Sequence, residues 1–600
     1  MPGPVFAVLE PLRSPNRDGA MMVIHVELGR PARYSAVVSC AGMPSRGVTL
    51  GLDPRVEQVS GQIQAWIMDC SLRHRGTCTE LRWSPDNPTR LIRILGDGRL
   101  QLCSDAEPRA EYVALSYSWG TGLLSKRDKD DIGRSLTTYG NLYSRMVAFS
   151  ASELPHTLRD AVTLVHRLGR SYLWIDSICI IQDEYDPTDF RKESPRMHEY
   201  YGNALFTISV CSNEKATDPL FVPRTAFHYP IPYAKLGGTW LTAPGPCLAE
   251  ILARSPLASR AWTLQEERLS PRILYWTPHR LYWSCAQTRQ IELPPGPVSG
   301  TSTDISRILP QGFLLACNAG SLEAIHNEWQ TVIESYSRRN MTKASDRFPA
   351  LAGLAARYRD SIGSNNQYLA GLWASTLAQD LAWRVADGAS PVTPSATTRL
   401  APSWTWASLP VATGIVAERR IGQARDFSLV NTYAPEGGMT KVGGSGKSEQ
   451  TLTPVQLGAQ TLRIRITAAI QPFWNDEAVY RPWSSISHYN ERLENGFPVT
   501  DLVFSFERDP GQAVFSADEA TGQVVSYRAR RRRMLGQLDY RVHAGRVNGR
   551  MVRVQMVQLQ EDVCLLVEEV GKGVFARVGV ISSVGPGNVN DAKRREIELV

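Results

Sequence analysis

A chain of 600 residues, 43% hydrophobic and 21% charged, has the composition of a globular protein of two to four domains, so a sizeable buried core is expected. Its net charge of +7 is mild at this length and does not point to specific nucleic-acid binding, which needs basic residues gathered on one face. The ten cysteines lie scattered from Cys40 to Cys564, unlike a secreted disulfide framework, and the longest apolar stretches, such as 172–181, are about half the roughly 20 residues that a membrane span requires.

Residues 1–107 read as a lead-in region, irregular apart from one helix over 56–72. The first ten residues show neither the basic start nor the apolar segment of a signal peptide, and a cytoplasmic protein is expected. From Tyr112 onward Val113, Leu115, Tyr117 and Trp119 alternate with Ala114, Ser116 and Ser118. That is the period-two signature of a strand, ended by Gly120. Leu154, Leu158, Ala161, Val165 and Leu168 then recur at spacings of three and four and predict an amphipathic helix, with Ser152 as N-cap and Gly169 as C-cap.

A short strand over 172–175, a helix holding Met197, Tyr201 and Ala204, and a strand over 205–210 follow. Strand, helix, strand, helix, strand predicts a parallel α/β sheet with Gly120 and Asp176 at one edge. Sites in such sheets form at the carboxyl ends of strands, where Trp119, Gly120 and Asp176 fall. A helix over 261–269 and a hairpin of 273–276 with 281–283, turning at Pro278 and His279, close an α/β domain placed at 108–285. Beyond it the pattern predicts a mainly helical extension over 286–434, a linker or long loop over 435–451 and a β-rich region over 452–600, where Leu462, Ile464 and Ile466 alternate as strand residues do.

Several local patterns stand apart from this frame. Cys70, His74 and Cys78 are spaced four and four, so a helix aligns them like zinc ligands. Three ligands without a clear fourth make an incomplete tetrahedral site, however, and buried cysteine is an ordinary core residue, so no metal is expected. Arg528 with Arg530, Arg531, Arg532 and Arg533 forms a basic cluster that reads as a solvated loop or strand end, with nuclear import as the alternative. The run 443–448 lacks the first glycine of a phosphate loop, since position 441 is Lys441, and neither G-x-S-x-G nor H-E-x-x-H occurs.

Three blocks, 112–120 (YVALSYSWG), 173–183 (LWIDSICIIQD) and 260–266 (RAWTLQE), resemble in order and spacing the blocks of the fungal heterokaryon incompatibility (HET) domain. The later segments 346–353, 371–373 and 402–407 look like those that often follow it. The usual asparagine before Gln182 is Ile181 here, and Pro195 places Glu193 just outside the helix that would carry it. The resemblance implies a TIR-like or flavodoxin-like fold and a non-self recognition protein that triggers cell death, with self-association or a protein partner and no membrane.

Some TIR domains split NAD with a glutamate four residues after a tryptophan, the spacing of Trp262 and Glu266. The resemblance therefore implies Glu266 as catalytic residue, Trp119, Gly120, Asp176, Gln182 and Trp262 as substrate-binding residues, and NAD as substrate rather than bound cofactor. A structural reading of the same residues stays open: Trp262 as a packed aromatic, Glu266 as the partner of Arg260 or Arg268, Asp176 as a cap. A non-catalytic interaction module is the alternative function.

Overall fold

The computed structural model describes residues 6–12, 21–27, 33–41, 57–74, 77–78, 86–120, 124–222, 231–236, 239–243, 248–292, 312–363, 366–386, 401–417, 419, 427–433, 439–441, 463–472, 502–503, 527–529, 532–538, 554–560, 563–582 and 593–599. They divide into two compact units. The first comprises residues 1–258 and 266–314, the second 259–265 and 315–600.

In the first unit, β1 (Phe6–Leu12), β2 (Met21–Glu27) and β3 (Arg33–Ala41) form an antiparallel run. Helix α1 (Glu57–Arg73) follows, then the hairpin of β4 (Leu91–Gly96) and β5 (Arg99–Cys103). The stretch expected to be an irregular lead-in thus supplies five strands. Its β4 pairs with a strand of the main sheet, and polar positions such as Arg93 and Gln101 hide that membership from an alternation count.

The expected strand is β6 (Tyr112–Ser116), and all five of its residues are buried. It lies in the middle of the sheet, so Ala114 and Ser116 face a covered side rather than water. Helices α2 (Lys126–Ser135) and α3 (Tyr139–Val147), the two-residue β7 (Phe149–Ser150) and α4 (His156–Arg167) lead to β8 (Tyr172–Trp174). Helix α4 starts two residues after Leu154, the first apolar position of its pattern. Pro155 restricts Leu154 to extended backbone (φ −88°, ψ 147°), and Ser150, not Ser152, caps the short turn before it. Gly169 ends the helix as expected, at φ 68°.

After β8 come α5 (Asp176–Cys179), α6 (Thr188–Glu193) and α7 (Met197–Asn203), whose Tyr200 and Tyr201 rings pack on Trp174 at 5.4 and 5.2 Å. Then follow β9 (Phe206–Val210), the hairpin of β10 (Ile231–Leu236) and β11 (Thr239–Ala243), α8 (Leu248–Arg254), α9 (Trp262–Leu269), the predicted hairpin of β12 (Arg272–Trp276) and β13 (Leu281–Cys285), and β14 (Arg289–Ile291).

Strands β6 and β8 run parallel, as do β6 and β9, and β9 and β12. The main sheet has the order β14-β13-β12-β9-β6-β8-β4-β5-β7. The expected parallel strands are therefore its centre, and both flanks are antiparallel, making the α/β sheet mixed. The central order β8-β6-β9-β12 is flavodoxin-like. The chain leaves β6 for β8 on one side and returns to β9 on the other, so the connections diverge between β6 and β9.

The second unit contains helices Leu322–Ser337 and Pro349–Ile362, in keeping with the expected helical extension, and a β-rich sheet that includes Arg463–Pro472 and Val554–Gln560. Most of the expected linker, apart from the strand Met439–Lys441, lies outside the described residues. The exposure of Arg530–Arg533 also lies outside them, although Arg532 and Arg533 begin the strand Arg532–Leu538.

Candidate functional site

The connections diverge between β6 and β9, the point at whose carboxyl ends α/β sheets of this kind form their sites, and the segments that follow the two strands meet there. After β6 the chain continues through Tyr117, Ser118 and Trp119 to Gly120, which holds φ +139°. A Cβ added there would lie 2.5 Å from Leu124 Cδ2, so the turn is built for glycine. After β9, the Ala216 N–H donates to the Trp119 carbonyl (3.4 Å) and the Thr157 N–H donates to the Ala216 carbonyl (3.0 Å).

Asp128 pins the two segments together. It belongs to α2, where it forms a capping box with Ser125, and its carboxylate accepts from Lys215 Nζ at 2.9 and 3.0 Å and from the Thr217 hydroxyl. The Thr217 and Ser125 hydroxyls and the Lys215 ammonium hold its carboxyl well below the usual carboxylate range. A depressed carboxyl contributes stability that is present above its unfolded pKa, about 4, and is lost as pH falls through the folded value. Asp128→Asn is therefore expected to melt below wild type at pH 7, with the gap narrowing below about pH 4. Thermal melts across that range check it, and equal melting at pH 7 would remove the strut.

Near the carboxyl end of β6 four acidic or phenolic groups, Tyr117, Asp176, Tyr201 and Glu266, come together. Asp176 opens α5 and its carboxylate accepts from the Ser177 amide at 2.8 Å, while the Ser177 hydroxyl takes a hydrogen bond from Tyr117 (2.8 Å). The Tyr201 hydroxyl donates to the Leu115 carbonyl of β6 at 3.2 Å. Burial first, then the charges of Glu266 and Asp176 and a hydrogen bond with Glu266, push that hydroxyl well above its ordinary pKa. Two carboxylates therefore bear on one buried tyrosine at the end of the central strand. Beside it, the Ser118 hydroxyl and Trp119 Nε1 are both buried and find no hydrogen-bond partner among the described residues. Buried polar atoms are rarely left so in a chain that has no use for them.

The residues expected from sequence separate accordingly. Gly120 and Asp176 do lie at the same edge of the sheet, with Trp119 half-buried beside them. Glu266 is only 6% exposed. Trp262 is half-buried one helical turn away in α9, in the part of that helix grouped with the second unit. Gln182 spends its side chain on the chain itself, its amide nitrogen donating to the carbonyls of Asp176 and Ile180 at 3.3 and 3.4 Å.

Glu193 lies outside α7 as expected, but it ends α6 and is buried, accepting hydrogen bonds from Thr89 and Tyr200. It is thus an internal anchor rather than a loose flanking residue. Tyr117, Ser118 and Tyr201 were not singled out as site residues. Tyr201 carried a signal, since it falls in the helix that follows the second block.

These features define an α/β domain of flavodoxin-like central order with a cluster of polar and aromatic residues at its topological switch point. Residues 112–266 match the family model described as Heterokaryon incompatibility protein (HET), so this segment is a HET domain and supports a role related to heterokaryon incompatibility. No curated protein and no solved structure matches the chain. Among the described residues no helix is long and apolar enough to cross a membrane.

Proposed function

We propose that this protein acts in non-self recognition and triggers cell death by binding NAD at the switch point and cleaving its bond between nicotinamide and ribose. The observation that carries the reading is the convergence of Glu266 and Asp176 on Tyr201, next to the unpartnered Ser118 hydroxyl and Trp119 indole N–H. Cleaving this bond builds positive charge on the ribose, and a carboxylate held in a water-poor site stabilises that charge. Nicotinamide is cationic in NAD and leaves neutral with the bonding electron pair, so no acid is needed to protonate it. Water then adds to the sugar and loses a proton. The Trp119 face offers a stacking surface for a ring.

The test is NAD consumption by the purified full chain, alone and self-associated, followed as release of nicotinamide and ADP-ribose, together with viability of a host expressing it. Loss of NAD preceding loss of viability is expected; death with NAD intact would discard the enzymatic reading.

The burial of Glu266 favours a second reading, in which the HET domain is a non-catalytic module that recruits a death-executing protein. A carboxylate this enclosed meets a ligand only after neighbouring side chains move. Killing without NAD loss selects this module.

A further inference from the structure

Cys70, His74 and Cys78 occupy the last turn of α1 and the turn beyond it. The His74 N–H donates to the Cys70 carbonyl (3.2 Å) and the Cys78 N–H to the His74 carbonyl (3.0 Å). The fourth group comes from far along the chain. Cys285, the last residue of β13, brings its sulfur to 3.4 Å from His74 Nδ1. The four ligand atoms lie within 4.8 Å of one another, and all four residues are buried, none more than 6% exposed. A zinc ion bonded at about 2.3 Å to sulfur and about 2.1 Å to nitrogen holds tetrahedral S···S edges of about 3.8 Å and S···N edges of about 3.6 Å. The cluster needs only small shifts to reach those edges.

The surroundings suit an anionic metal–thiolate centre. The Arg272 guanidinium, itself buried, donates from Nε to Cys70 Sγ at 3.1 Å. The Thr288 N–H donates to Cys285 Sγ at 3.3 Å. Burying an arginine against a neutral thiol is costly, whereas a thiolate is a proper partner. Three thiolates and a neutral imidazole around Zn²⁺ carry one net negative charge, which Arg272 balances. An odd set of three sulfurs also leaves one over from any single disulfide.

The geometry points to a structural zinc site formed by Cys70, His74, Cys78 and Cys285, lying outside the matched segment 112–266 and joining α1 to the β13–β14 hairpin. Soft thiolates in a closed four-ligand set select zinc, and no open position is left for catalysis. The three thiols release their protons to solvent on binding. Around the site, Gln287 Nε2 bonds Thr77 Oγ1 (2.7 Å) and Trp66 stacks on Trp283 at 6.4 Å, so metal reinforces a contact already made by packing.

The full-length protein, expressed with zinc and purified without chelator, is expected to carry about one zinc per chain by elemental analysis. Cobalt substitution is expected to give the intense visible absorption of a tetrahedral thiolate-rich site. Cys285→Ser is expected to lose most of the metal and Cys103→Ala, a buried cysteine outside the cluster, to keep it. Wild-type protein that takes up neither zinc nor cobalt, or a disulfide between two of the three cysteines found by mass spectrometry of freshly lysed cells, overturns the site. Because the metal content and cobalt spectrum are read on wild type, a variant that fails to fold does not block the decision.

Discussion

Glu266→Gln is expected to abolish killing and NAD loss while leaving a folded protein. Glutamine keeps nearly the same volume and still hydrogen-bonds, so the buried site beside Tyr201 stays filled, but the negative charge offered to a developing ribose cation is gone. The same change has a physical signature independent of activity. Glu266 contributes to the raised Tyr201 pKa, so in the variant that hydroxyl should ionise at lower pH, readable in the ultraviolet absorption of the folded protein at alkaline pH. A purely structural role shows instead as lost soluble protein, since breaking a buried charge interaction typically costs about 3–5 kcal/mol. A stable Glu266→Gln protein that still kills and still consumes NAD would falsify the catalytic assignment.

Arg577→Ala is expected to destabilise the second unit severely. Arg577 sits in the strand Val574–Ser582, is 2% exposed, and places its guanidinium 3.4 Å from the centre of the Trp383 ring. Its two terminal nitrogens donate to the carbonyls of Leu381 and Trp383, and its backbone N–H donates to Ser403 Oγ at 3.0 Å. Alanine removes both donors and the stacked cation together. At about 1–3 kcal/mol per buried carbonyl left short, plus about 2 kcal/mol for a desolvated cation over tryptophan, the loss is several kcal/mol. Arg577→Lys keeps the charge but not the planar fork and should fall between the two. Calorimetry of the full chain measures it, and melting of Arg577→Ala unchanged from wild type would show that the guanidinium is dispensable.

The sequence carried the centre of the fold clearly because that centre is built from local patterns. The hairpin at Pro278 appears where expected, while the strand expected over Val113–Trp119 ends at Ser116 and α4 begins two residues into its three-and-four pattern. Legibility failed where a residue's role depends on a partner distant in the chain. Cys70, His74 and Cys78 looked like an incomplete set because Cys285 arrives only through folding of the sheet. The spacing of Trp262 and Glu266 gave their shared helix but not the burial of Glu266, which depends on surroundings such as Tyr201. Gln182 was open to a structural or a substrate role, and its amide nitrogen bonds the Asp176 and Ile180 carbonyls in the loop after α5. Strands β4 and β5 went unseen because their half-buried positions, such as Arg93 and Gln101, carry polar side chains that break the alternation.

The main sheet ends at β7 on one side and β14 on the other, strands of only two and three residues. Such stubs offer almost no row of free N–H and C=O groups to a passing strand. Among the described residues, then, this sheet provides no template for cross-β growth. Open rows are found instead on the five-stranded sheet β1-β2-β3-β11-β10, whose outer strands β1 and β10 run to seven and six residues, so any strand-to-strand assembly of this protein would start there.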